Sequence, residues 1–81
     1  MEVREKVINL IQYHLCIKKE KIQDDSVLGE ELRMDELDGI ALVMSLEEAF
    51  DIVIPDKDME KYFGYRNTVK EVIDYIQGRI K

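Results

Sequence analysis

Residues 35–56 read DELDGIALVMSLEEAFDIVIPD, and this stretch has the clearest helical signals in the 81-residue chain. Asp35 can cap a helix whose third residue is Asp38, an acidic variant of the capping box. Pro55 disfavours helical geometry before it, so the helix should end near Phe50. A helix with two apolar faces is either central in a bundle or keeps one face for a partner. The apolar residues here form two such faces, the first with Leu42, Val43, Leu46 and Phe50, the second with Leu37, Ile40, Ala41 and Met44.

Amphipathic patterns on both sides of this stretch predict further helices. Thr68 and Glu71 form a capping box that starts a last helix over residues 68–79. A short third helix is expected over residues 58–62. Apolar residues at helical spacing predict a first helix over residues 2–16, with a buried face made by Val3, Val7, Leu10, Ile11 and Leu15.

The segment between the first two long helices has no helical periodicity. In residues 22–34, Asp24, Asp25 and Ser26 indicate a turn. A loop of this length is unusual in a small domain and is more often functional than idle. The sequence therefore predicts an all-α four-helix bundle with one short helix and a long first loop, in a single domain over residues 1–81.

The composition is that of an acidic globular domain. The chain has 12 Lys and Arg against 18 Asp and Glu, a formal charge of −6, with 46% hydrophobic residues. This balance argues against nucleic-acid binding and favours partners that present Lys and Arg. No apolar run approaches the roughly 18–20 residues of a membrane span, and we expect no signal peptide. A cytoplasmic monomer is expected.

Residues that could carry chemistry are few. His14 has no Cys or second His nearby that could build a metal site. Cys16, the single cysteine, is expected to be a small buried hydrophobe rather than a thioester carrier. Neither a nucleophile–base pair nor a phosphate loop is evident, so the chain is not expected to be an enzyme.

The charges are unevenly distributed. Between Met34 and Asp56 there is no Lys or Arg. One interpretation is a solvated helix face, and the other is an acidic docking surface around Leu37, Ile40 and Met44. Binding through such a surface would weaken with salt. Seven acidic residues contribute: Asp35, Glu36, Asp38, Glu47, Glu48, Asp51 and Asp56.

Residues 35–56 resemble the second helix of acyl carrier proteins and the loop that follows it, above all in the pattern LVM-x-LEE-x-FD…IPD. Residues 7–15 resemble the family's first helix, residues 30–32 the end of its long loop, and residues 68–76 its last helix. The resemblance implies a carrier whose second helix begins with Asp-Ser-Leu. In the family, that serine holds 4′-phosphopantetheine, and the thiol of this arm carries acyl groups as thioesters.

The serine of this motif is replaced here. Residues 35–37 read Asp-Glu-Leu, so Glu36 stands at the serine position, and Arg-Met at residues 33–34 replaces the family's Gly-x pair. A carboxylate has no hydroxyl for the phosphodiester, so no cofactor is expected. Ser26 and Ser45 lie away from the helix start, and neither is expected to take the arm. The Glu36 carboxylate either interacts favourably with the helix dipole or imitates the negative phosphate of a modified carrier.

These features favour a carrier-protein fold that acts by binding. It would dock on enzymes of acyl, fatty-acid or polyketide metabolism, or on another complex with a basic surface. The alternative is a conventional acyl carrier protein of fatty-acid or secondary-metabolite biosynthesis whose serine was replaced at position 36. The expected contacts lie at and along the second helix: Asp35, Glu36, Leu37, Asp38, Ile40, Met44, Glu47 and Glu48.

Overall fold

A computed structural model describes residues 2–80. Within this range the elements are α1 (Val3–Leu15), a 3₁₀ turn (Lys19–Lys21), α2 (Glu36–Phe50), α3 (Asp56–Tyr62) and α4 (Val69–Arg79). The predicted all-α bundle with one short helix and a long first loop is confirmed. No helix within residues 2–80 is both long and apolar enough to cross a membrane.

Local capping determines where the two best-predicted helices begin. The Asp35 carboxylate accepts a hydrogen bond from the Asp38 amide at 2.8 Å, and the Asp38 carboxylate accepts one from the Asp35 amide at 3.3 Å. Thr68 and Glu71 make the same reciprocal pair at the start of α4. Both capping boxes were predicted, because all their members lie within four residues of one another.

The helices enclose one apolar core. Val7, Ile8 and Ile11 are the buried residues of α1, whereas Val3, Leu10 and Leu15, predicted for the same face, are only partly buried. The buried apolar side chains of α2 and α4 complete the centre: Leu42, Val43, Leu46, Val69, Val72, Ile73 and Ile76.

The long loop is bonded to the connection between α3 and α4. The Leu28 amide donates to the Asn67 carbonyl at 2.8 Å, and the Gly29 amide donates to the Tyr65 carbonyl at 2.9 Å. An isolated antiparallel bridge joins Val27 to Thr68. Gly29 lies directly under the Tyr65 ring, since an added Cβ would be only 1.9 Å from Tyr65 Cδ1. The loop therefore belongs to the packed body of the protein.

The short helix α3 begins two residues earlier than predicted. Pro55 is its extended N-cap residue, and the amides of Asp58 and Met59 donate to the Pro55 carbonyl at 2.9 and 3.1 Å. The Tyr75 hydroxyl then donates to the Asp58 carboxylate at 2.7 Å, which ties α3 to α4.

The prediction that Cys16 is buried is wrong. Cys16 is exposed. It is the C-cap residue of α1 with a φ of 54°, in the left-handed region, and its amide donates to the Gln12 carbonyl. The chain leaves the helix at this residue, so the apolar repeat of α1 no longer determines where its side chain lies.

Candidate functional site

Glu36 is the first residue of α2, and its side chain is exposed. Its neighbours Asp35 and Asp38 use carboxylate oxygens in the capping box. Glu36 has no hydrogen bond or ion pair to any of the described residues. A carboxylate in the first turn interacts favourably with the positive end of the helix dipole. Glu36 is therefore a free anion at a position that stabilises it.

The second apolar face of α2 remains largely uncovered. Leu37 is 75% exposed, Met44 is 63% exposed and Ile40 is 39% exposed. These three side chains, spaced three and four residues apart, lie on one side of the helix and are called the α2 patch below. Leu42, Val43 and Leu46 on the other side are buried in the core. Exposed apolar surface of this kind on a helix is typical of a partner-binding face.

The predicted acidic contacts differ in how free they are. Glu48 is exposed. Glu47 is half-buried, and its carboxylate accepts a hydrogen bond from the Ile54 amide at 2.8 Å. Glu47 therefore holds the chain that follows α2, and Asp38 is occupied in the capping box. The carboxylates left for a partner are chiefly those of Glu36 and Glu48.

Two surface grooves meet at Glu36. One, of about 450 Å³, lies between α2 and α3 and is lined by Glu36, Gly39, Ile40, Asp56, Met59, Glu60 and Phe63. The other, of about 500 Å³, is lined by Gly29, Arg33, Met34, Asp35, Glu36 and Tyr65. Met59, Glu60 and Tyr65 could not be placed in this region from the sequence, because only the packing of the loop and α3 brings them beside α2.

The replaced residues before α2 fit together with Gly39. Arg33 has a φ of 63°, in the left-handed region where glycine is at ease. Met34 is buried, and its Cε lies 3.5 Å from where a Cβ on Gly39 would be. The Met34 side chain therefore packs beside the buried Gly39, and α2 remains a regular helix at this glycine.

A serine and a histidine from different helices form a contact that the sequence does not reveal. His14 Nε2 lies 2.7 Å from Ser45 Oγ, between α1 and α2. The two residues are 31 positions apart. Neither helix pattern alone predicts this contact.

A four-helix bundle with a capped second helix, an exposed position 36 and a long packed loop defines the carrier-protein class of fold. The family model for the phosphopantetheine attachment site matches residues 5–76. The chain is 40% identical over 75 residues to the acyl carrier protein of Chlorobium luteolum, covering 93% of this chain and 91% of that protein. With the same coverage, it is 39% identical to the acyl carrier protein of Chlorobium phaeobacteroides. The chain belongs to the acyl carrier protein family, whose members are carriers and not enzymes.

Proposed function

We propose that this chain is a docking module with a carrier-protein fold and without the phosphopantetheine arm. It binds basic surfaces of enzymes of acyl metabolism, in fatty-acid or polyketide synthesis, or of another protein complex. The observation that carries this proposal is the exposed α2 patch on a helix without Lys or Arg, with Glu36 where the resemblance expects serine. The module is expected to be cytoplasmic and monomeric.

The residues at the start of α2 do not fit covalent attachment of the arm. The phosphodiester needs a hydroxyl, and Glu36 offers a carboxylate. Ser26 is buried, and its hydroxyl bonds the Gln23 amide and the Lys21 carbonyl. Ser45 lies inside α2 and contacts His14. Neither serine hydroxyl lies in the first turn of α2.

The surface combines the two contributions that a docking site needs. Burying an exposed Leu or Met side chain completely is worth about 1.5–3 kcal/mol before the costs of association. Glu36 and Glu48 add negative charge that steers a basic partner and selects against an acidic one. Because these carboxylates are exposed, salt screens their attraction over about 8 Å at physiological ionic strength.

The modification experiment is the first test. Wild type and Glu36→Ser are incubated with coenzyme A and a broad-specificity phosphopantetheinyl transferase, and intact mass is measured. We expect only Glu36→Ser to gain the arm. A gain by wild type would refute the proposal, and peptide mapping would then begin with Ser45 and Ser26. If neither gains it, transferase recognition has changed as well as the attachment atom.

The binding experiment tests the surface itself. Affinity for a basic acyl-metabolism enzyme is measured at low and high salt for wild type, Met44→Ala and Glu36→Gln. Glu5→Gln is the matched control, because Glu5 is exposed on α1 and its replacement makes the same charge change. We expect both α2 variants to bind more weakly and the control to bind like wild type. Unchanged affinity of Glu36→Gln would contradict a role for the Glu36 charge.

A conventional carrier role is the second candidate function. It is favoured by the family match over residues 5–76 and by the similarity to acyl carrier proteins over most of the chain. In this case the serine was replaced at position 36 while the surrounding recognition surface was kept. Glu36→Ser should then accept both the arm and an acyl group, and wild type should show no arm-independent docking.

A further inference from the structure

His14 and Ser45 form a fixed pair between two helices. His14 lies in the last turn of α1 and Ser45 in the middle of α2, with 2.7 Å between Nε2 and Oγ. Both residues are half-buried. The Tyr13 ring is nearly perpendicular to the imidazole, with an interplanar angle of 84° and 5.2 Å between ring centroids. A short hydrogen bond of this kind lets a neutral imidazole accept the proton of a serine hydroxyl.

We propose that Ser45 is an acylation site, with His14 as its general base and an activated acyl ester or thioester as the donor. This proposal does not depend on the docking function. It rests on the pair's geometry and on the groove that opens beside it.

The groove beside the pair suits an uncharged acyl chain. It has a volume of about 540 Å³ and lies between α1 and α2. The Glu48 carboxylate in this groove repels a donor whose acyl chain itself ends in a carboxylate. Besides His14 and Ser45, the groove is lined by four apolar side chains and one acid: Leu10, Ala41, Met44, Ala49 and Glu48.

The reaction is a simple acyl transfer. Ser45 Oγ attacks the carbonyl carbon of the donor while its proton passes to His14 Nε2. The tetrahedral adduct then breaks its bond to the leaving sulfur or oxygen, and that atom takes the proton from the imidazolium. The products are an oxygen ester on Ser45, a free thiol or alcohol, and a neutral His14.

The same geometry predicts slow ester formation and still slower ester hydrolysis, because an oxygen ester of serine is less reactive than the activated donor. The acylated chain should therefore accumulate instead of turning over. Ser45 lies in the interior of α2, where the backbone amides donate within the helix. The α2 amides around Ser45 are therefore not free to stabilise the oxyanion of the adduct, and base catalysis alone contributes about 10²–10⁴-fold. An acylated chain is a modified carrier, which agrees with a family of carriers.

The test uses p-nitrophenyl butyrate and p-nitrophenyl acetate as donors, with the butyryl thioester of N-acetylcysteamine as a second kind of donor. The protein carries Cys16→Ala so that the exposed thiol does not compete. Peptide mapping then gives the rate of ester formation at Ser45 and, as an internal control, at the buried Ser26. We expect a hydroxylamine-sensitive ester at Ser45, and a rate about 100-fold lower in His14→Gln. In Ser45→Ala this ester should be absent.

A second variant separates the groove from the pair. Ala41→Leu narrows the groove and keeps both His14 and Ser45, so butyrylation should slow more than acetylation. Circular dichroism and urea unfolding confirm that each variant is folded. Labelling of Ser45 no faster than of Ser26 would overturn the proposal. An unchanged rate of Ser45 labelling in a folded His14→Gln variant would overturn it too.

Discussion

The contact between Gly29 and Tyr65 allows a quantitative test of how the long loop is held. Gly29→Ala places a Cβ about 1.9 Å from Tyr65 Cδ1, far inside ordinary contact. The Gly29 amide bonds the Tyr65 carbonyl, so the backbone is held and the ring must rotate away. Tyr65 is 61% exposed, so rotation of the ring would expose the remaining two-fifths of its surface, which is now buried. For an aromatic side chain this is about 80 Å², or about 2 kcal/mol at 25 cal/mol per Å².

The net destabilisation should be smaller than that contact energy. Alanine restricts the unfolded chain and returns about 0.4–1 kcal/mol, so Gly29→Ala should lower the free energy of unfolding by about 1–1.5 kcal/mol. In a Tyr65→Ala background the clash is absent, and the same substitution should be neutral or stabilising. Urea unfolding of the four proteins gives this coupling as a double-mutant cycle. An equal loss in both backgrounds would refute the argument that the ring is the obstacle.

Three further predictions concern stability. Arg33→Gly should raise the free energy of unfolding by about 0.5–1 kcal/mol in urea titrations, because it relieves the left-handed backbone at a φ of 63°; a loss would contradict this. Asp35→Ala should cost about 1 kcal/mol through the lost helix cap, while Asp35→Asn keeps an acceptor and should cost less. Burial, with the hydrogen bond to Asp58, raises the pKa of Tyr75 to about 12, so the fold favours the neutral phenol. This contribution is complete below the ordinary tyrosine pKa of 10.0 and is lost as pH rises towards 12; urea unfolding against pH should show the loss in wild type and not in Tyr75→Phe.

The parts of the fold that could be predicted are those whose physics is local. The starts of α2 and α4 follow from capping partners three residues apart, Asp35 with Asp38 and Thr68 with Glu71. The two apolar faces of α2 also follow from sequence, because helical periodicity alone places Met44 opposite the core side. The sequence predicts more apolar residues on α2 than one core-facing side needs, and the structure shows the second apolar face to be exposed.

The parts that could not be predicted depend on contacts between distant segments. The bridge from Val27 to Thr68 and the pair of His14 with Ser45 depend on how the helices are arranged in register. The exposure of Cys16 could not be predicted, because this residue itself adopts the left-handed conformation that ends α1 and its periodic pattern. The acidic groove beside Glu36 could not be predicted because it depends on where α3 packs. A short helix with weak periodicity does not indicate its own position.

The hydrogen bonds that join the long loop to α4 have a consequence for hydrogen exchange. The amides of Leu28 and Gly29 donate to the α3–α4 connection, and those of Val69 and Lys70 donate back to the Ser26 and Asp24 carbonyls. None of these amides can meet solvent unless the loop and the first turn of α4 separate together. Although the loop is irregular, it should therefore exchange at the slow rate of α4, as one cooperative unit with it.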